Sequence, residues 1–436
     1  MTHHFPELAA KVAEQHERRP DLYERIDFTQ DPYRFTIDPN VVSGLPTWVT
    51  RREPYLANEP MIELMRTSTM LGDLVADEYA ALLPEYGVRG LVDMLKKACR
   101  DGTESVPDAP PELHAFIAAM EATPAGVDFE LVEEGARHSR IGAAYLSPFL
   151  IRGAFIATFL NSYSALPMGI TGALSGTRAA YRVNDTTSYF SVTALPGALK
   201  RDGIGFQASA MVRLMHSVVR YNALVRYDKW DTCVYGMPIP QIDQMPAGLI
   251  NMYILSVSVL KKGRTEFNDR EKAIMAFTHY RNFLLGVPAE LLPTTPRGIV
   301  DVFYARAAYL RDDFDDTCRE LVNSTMNAYL RPSRTPFERA ADRVEKAWSK
   351  IFVLGINGGS KKSALNMGVR VRVVDLALVG VTAPFILGRF IGAVRLNKIS
   401  ALQPAIDRRA TRMVERRLAT YGHPAFTTDP AAYPHH

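Results

Sequence analysis

Cysteine is scarce. Cys99, Cys233 and Cys318 are the only three in 436 residues, far apart and in no CxxC or CxxCH arrangement. That excludes a zinc cluster on cysteine pairs and a cofactor tethered through such a motif, and it fits a reducing compartment. Charge of one sign is also lacking: the formal net charge is only +4. The one basic cluster, Arg408, Arg409, Arg412, Arg416 and Arg417, has the spacing of a solvated or propped helix, so no nucleic-acid partner is expected. The N-terminal stretch MTHHFPELAAKVAEQHERRP lacks the apolar run of a secretion signal, which makes the cytoplasm the expected location.

Several catalytic signatures are missing as well. There is no HExxH and no GxSxG. GINGGSKKS, from Gly355, puts Ser360 where a phosphate loop needs its second glycine, and reads as a flexible loop. GITGALSG, from Gly169, is not GxGxxG and follows no strand. DDFDD, Asp312 to Asp316, stands alone without a partner cluster and reads as a solvated helix face.

No hydrophobic run is both long and clean. Gly153 to Thr177 is uncharged but carries Asn161, Pro167 and several glycines, so a buried, interrupted helix pair is expected, its small residues allowing close approach of a neighbour. In Val373 to Val394, Asp375 and Arg389 bracket 13 uncharged residues, too few to span a bilayer. A core helix broken at Pro384 is expected there, with an interfacial anchor and peripheral membrane contact as the alternative.

What is present is apolar content and helical periodicity. Hydrophobic residues make up 47% of the chain, enough for a substantial core, and strand signals are sparse. The expected fold is mainly α: a single compact multi-helix domain over 61–350, an irregular N-terminal extension over 1–60 and a C-terminal helical extension over 351–436. Asn268 caps a helix ending before Gly286, Thr335 opens a second with Thr-Pro-x-Glu, and WDTCVYGMPIPQIDQMPAG reads as a proline-rich loop before an apolar helix near 248–260.

Ten histidines occur, most of them in polar or surface contexts. His279, in AFTHYRNF, reads as an ordinary hydrogen-bonded histidine. His216 differs. In MVRLMHSVVRY it has Arg213 one turn before and Arg220 one turn after, all on one helical face among apolar residues. Two guanidiniums discourage protonation of the imidazole and favour its metal-ligating form. The same cations match a cofactor bearing carboxylates, and haem b needs both an axial imidazole and cations for two propionates. A structural core histidine is the competing reading of the same residues.

The stretch R-L-M-H-S-V-V-R, Arg213 to Arg220, resembles the R-x-x-H-x-x-x-R motif of the latex-clearing-protein (rubber oxygenase) and mpaB-type haem domains. About thirty residues earlier, R-V-N-D-T (Arg182, Asp185, Thr186) resembles that family's Arg-x-x-Lys-Thr. GMPIPQIDQ, from Gly236, is similar to the segment after the family's histidine helix. The resemblance covers roughly 60–350. It implies a non-covalent haem b with His216 as proximal iron ligand, Arg182, Arg213 and Arg220 as cofactor-binding cations, and Asp185 and Thr186 as catalytic pocket residues. The implied activity is a haem-dependent oxygenase using dioxygen on an apolar, lipid-like or terpenoid substrate. The chain departs from the family in two places. Asp185 stands where the latex-clearing members have a distal lysine, and no glutamate occurs between Glu134 and Glu266 to match their distal one. Polyisoprene cleavage is therefore not expected, and a haem-binding protein without oxygenase turnover is the alternative.

Overall fold

A computed structural model describes residues 4–46, 48–158, 160–170, 178–227 and 230–421. Among these the architecture is all helical; extended pairing is confined to isolated bridges joining Phe35 to Leu310 and Ser43 to Arg311. Contacts divide the chain into two units, each discontinuous in sequence. Among the described residues the first joins those up to Phe129 with Ser209–Asp313; the second joins Glu130–Ala208 with those from Phe314 to Tyr421. Among the described residues up to Asn58 there are a helix at Pro6–Arg18 and two four-residue helical segments amid otherwise irregular backbone, and the next helix starts at Glu59.

The helix starts follow local chemistry. Asn268 and Glu271 form a reciprocal capping box, each side chain accepting from the other's backbone N–H at 3.0 and 2.9 Å, and the helix they open runs Asp269–Leu284. Thr335 accepts from the Glu338 N–H at 3.2 Å, but the Glu338 carboxylate turns to Arg331, so only half of that expected box forms. The acidic DDFDD is not a helix face. Asp315 is the N-cap of the Asp316–Asn327 helix, accepting from the Cys318 N–H at 2.9 Å, and Asp312 and Asp313 precede it. In GINGGSKKS only residues 357–360 form the turn between two helices, with Ser360 capping Lys361–Asn366.

In the second unit, the expected interrupted pair is seen as Ser147–Ile156 and Ser162–Ile170, while residues 171–177 of that stretch lie outside the described residues. Phe155, Ile156, Val183, Leu321, Val322 and Val353 are among the residues of a shared apolar core. Ser147–Ile156 packs most closely against Pro336–Ile356, and Gly153 is the reason it can. A Cβ there would lie 2.7 Å from the Phe352 ring and 2.9 Å from the Ser349 carbonyl oxygen. Gly153→Ala should therefore cost about 2 kcal/mol through overpacking, measurable as a lowered urea midpoint at unchanged slope.

The Val373–Leu396 helix corrects an expectation. It runs through Pro384 without a break, and only Asp375, Ile386 and Ala393 are buried along its 24 residues. It is a surface helix, not a core helix.

Candidate functional site

The histidine helix, Ile204–Tyr221, carries Arg213, His216 and Arg220 as its sequence requires. Within the first unit, each arginine meets an aspartate from LGDLVADEY. Arg213 grips Asp73 through two parallel hydrogen bonds, Nε–H to Oδ2 at 2.5 Å and Nη2–H to Oδ1 at 2.8 Å. Arg220 pairs with Asp77 through Nη1, and neither of these side chains is more than 1% exposed. Burying such charges is tolerable only where every remaining donor finds an acceptor. Arg220 meets that condition by donating to the carbonyls of Pro238 at 2.9 Å and Ile239 at 2.6 Å. Ile239 sits at φ +48°, a left-handed conformation that costs energy for a β-branched residue and that these contacts help to hold.

The aspartates are themselves fixed. Asp73 caps the Leu74–Ala80 helix, and Asp77 accepts from the Asp73 backbone N–H at 2.9 Å and from the Tyr23 hydroxyl. Burial and the facing Asp77 carboxylate push the Tyr23 phenol well above its ordinary range, so it remains a donor. Two glycines leave room for the pairs. A Cβ on Gly72 would come within 2.6 Å of Asp77 Oδ2, and one on Gly286, at φ +82°, within 2.8 Å of both Arg213 Nε and Asp73 Oδ2.

His216 is half-buried, and the proton on its ring is assigned by a chain of amides. The Gly72 carbonyl can only accept, and it does so from Gln241 Nε2 at 2.7 Å. Gln241 Oε1 then accepts from Gln244 Nε2 at 3.3 Å, which leaves Gln244 Oε1 as the acceptor 3.0 Å from His216 Nδ1. Nδ1 therefore carries a hydrogen, and in the neutral ring the lone pair falls on Nε2, the arrangement in which an orienting partner on one nitrogen readies the other for metal.

Both glutamines come from a segment expected to be loop. The helix near 248–260 begins instead at Gln241, with Pro246 inside it, and continues to Lys261. Its first turn is tied down by the Gln241 N–H bond to the Leu71 carbonyl at 2.9 Å and by Asp243, which lies between Arg34 at 2.6 Å and Arg306 at 2.7 Å. Burial pushes the Asp243 carboxyl up, but the two guanidiniums outweigh it and hold it below the usual carboxylate range.

Arg182, Asp185 and Thr186 lie in the second unit on the Arg178–Val192 helix. Arg182 is exposed, and Asp185 and Thr186 are half-buried. Burial first, and then the Asp185 charge, raise the neighbouring Tyr181 phenol. His279 departs from its expectation: its Nε2 is buried without a hydrogen-bond partner, and burial pushes the imidazole down to about 4. Among the described residues no group of three or more His, Cys, Asp or Glu side chains could by itself enclose a metal ion. Sequence reasoning missed Asp73, Asp77, Gln241 and Gln244. The one available signal was that Asp73 and Asp77 repeat at the helical interval that sets carboxylates on one face.

No protein-family model matches the chain, and no curated protein matches it. A search of solved structures finds latex clearing protein in its closed state, with a TM-score of 0.58 at 16% identity over 80% of this chain and 91% of that one. At that identity the likeness establishes a shared all-helical fold.

Proposed function

We propose that this chain is a haem b-dependent oxygenase of an apolar, lipid-like or terpenoid substrate, in which His216 would ligate the iron. The observation that carries the reading is the amide relay from Gly72 through Gln241 and Gln244, which presents His216 as the Nδ1–H tautomer with a ligating lone pair on Nε2. A single imidazole suits a metal whose remaining coordination comes from a macrocycle. The fold shared with latex clearing protein supports the same reading.

When bound, haem b supplies the iron-centred redox chemistry of dioxygen. The protein's residues supply position and charge. Gln244 fixes the ring orientation of His216. Arg213 and Arg220 are each matched by a carboxylate of this chain, so their part is to clamp the histidine helix against Asp73 and Asp77. Arg182, exposed on its own helix in the second unit, keeps the cation role that the resemblance implies. Asp185 and Thr186, half-buried on the same helix, keep the acid–base and pocket roles that the resemblance implies. Aspartate in place of the resembled family's lysine, with no glutamate from 135 to 265, favours chemistry other than polyisoprene cleavage. The same departures support the second reading, a haem protein without oxygenase turnover.

The absorption spectrum of purified protein tests the assignment. The wild type should show a Soret band. His216→Ala should lose most of it and recover it in added imidazole, and Gln244→Leu should keep haem with altered ligand-field bands. Equal haem content and an unchanged spectrum in His216→Ala would remove His216 as ligand. A reduced protein whose oxygen complex is stable and inert toward every apolar alkene offered would favour the second reading.

A further inference from the structure

The Val373–Leu396 helix is, by length and composition, apolar enough to cross a membrane, yet little of it is buried. One side is fastened to the second unit's own body. Trp348 Nε1–H donates to Thr382 Oγ1 at 2.9 Å, and Lys350 Nζ meets Asp375 at 3.0 Å. The opposite side is left to solvent, with Val373 82%, Val381 81% and Ile391 44% exposed. An apolar surface of this length is unusual on a protein that meets only water.

Charge says what covers it. Residues 361–421 hold twelve Lys/Arg against three Asp/Glu, while the rest of the chain holds 39 against 44. Arg370 and Arg372 precede the apolar helix, and Arg395 and Lys398 close it. The Gln403–Tyr421 helix adds Arg408, Arg409, Arg412 and Arg416, all exposed, whereas Arg417 is propped on the Ala143 and Ala144 carbonyls. Between these two helices opens a cavity of about 410 Å³, lined in part by Phe385, Ile386, Arg389, Met413 and Arg416. Arg331, on its wall, is answered by Glu338 and Glu345. Arg389 instead lies over the Tyr145 and Phe385 rings, and neither it nor Arg416 has a carboxylate partner among the described residues.

We propose that this face of the second unit docks on the surface of an anionic phospholipid bilayer. The outer side of the Val373–Leu396 helix lies in the headgroup–acyl boundary, and Arg389 and Arg416 contact lipid phosphate. The tether through Trp348 and Lys350 keeps the helix on the membrane rather than through it. A second copy is the poorer occupant, because two such cationic segments would repel each other across the contact. The inference stands independently of haem binding.

Flotation of the full-length protein with vesicles tests it. Binding should be strong to 7:3 phosphatidylcholine:phosphatidylglycerol, weak to phosphatidylcholine alone, and reduced by high salt. Val381→Asp, at a position too exposed to disturb folding, should lower partitioning at least about tenfold, and Arg389→Glu with Arg416→Glu should lower it by about tenfold or more on anionic vesicles alone. Circular dichroism and melting of each variant should match the wild type. Equal binding to both vesicle types would overturn the proposal. So would resistance to alkaline carbonate extraction, which marks a spanning helix. Concentration-dependent self-association abolished by Val381→Asp, with no vesicle binding, would overturn it in favour of a second copy.

Discussion

Arg220→Met is expected to lower the unfolding free energy by about 3–5 kcal/mol, a large part of the stability of an ordinary domain. The magnitude comes from what the substitution leaves behind. Methionine fills most of the space, so cavity formation contributes little. Asp77, however, is 1% exposed and loses its counter-ion. The carbonyls of Pro238 and Ile239 lose their donors at the same time, and Ile239 loses a restraint on its left-handed backbone. Adding Asp77→Asn removes the orphaned charge while keeping an acceptor for the Asp73 N–H and the Tyr23 hydroxyl. The double variant should therefore be more stable than Arg220→Met alone, the signature of a coupled buried pair. Urea unfolding of the four proteins measures this cycle. A single variant within about 1 kcal/mol of wild type would show that the pair is not the clamp on the histidine helix.

That clamp also shows how far the sequence could be read. The histidine helix was legible because its apolar residues recur at helical spacing and Arg213, His216 and Arg220 fall on one face. Their partners were not legible. Asp73 and Asp77 lie some 140 residues away, and two carboxylates one turn apart describe a solvated helix surface as well as a buried clamp. The glutamine relay was hidden for a different reason. Three prolines in GMPIPQIDQMP lower helix propensity, yet Asp243 held between Arg34 and Arg306 starts the helix at Gln241 and carries Pro246 within it. The apolar helix near the C-terminus was misread because hydropathy reports composition and not which surface meets it. The all-helical class needed none of this long-range information and followed from periodicity alone.

His279→Gln is expected to remove an acid sensitivity from the fold. In the wild type, burial pushes this imidazole from 6.5 down to about 4. The unfolded chain consequently binds the proton more readily than the folded one between those two values. Stability from the neutral ring, whose Nε2 is buried, is complete above about pH 6.5 and falls as the pH drops toward 4. By pH 5 the linkage amounts to about 2 kcal/mol for this one group. The Asp243 carboxyl is depressed instead, so its contribution is lost only in a lower window, below the ordinary aspartate value of 3.8. The two effects are thus separable by titration. His279→Gln costs some stability at pH 7.5, because an amide with more hydrogen-bonding groups enters a site where Nε2 already lacks a partner. Between pH 7.5 and 5, however, the variant's urea midpoint should shift less than that of the wild type, the shortfall amounting to about 2 kcal/mol. Parallel midpoints across that range would place the ring in contact with water and remove the burial argument, whereas convergence of the two curves toward pH 5 identifies His279 as a buried neutral imidazole.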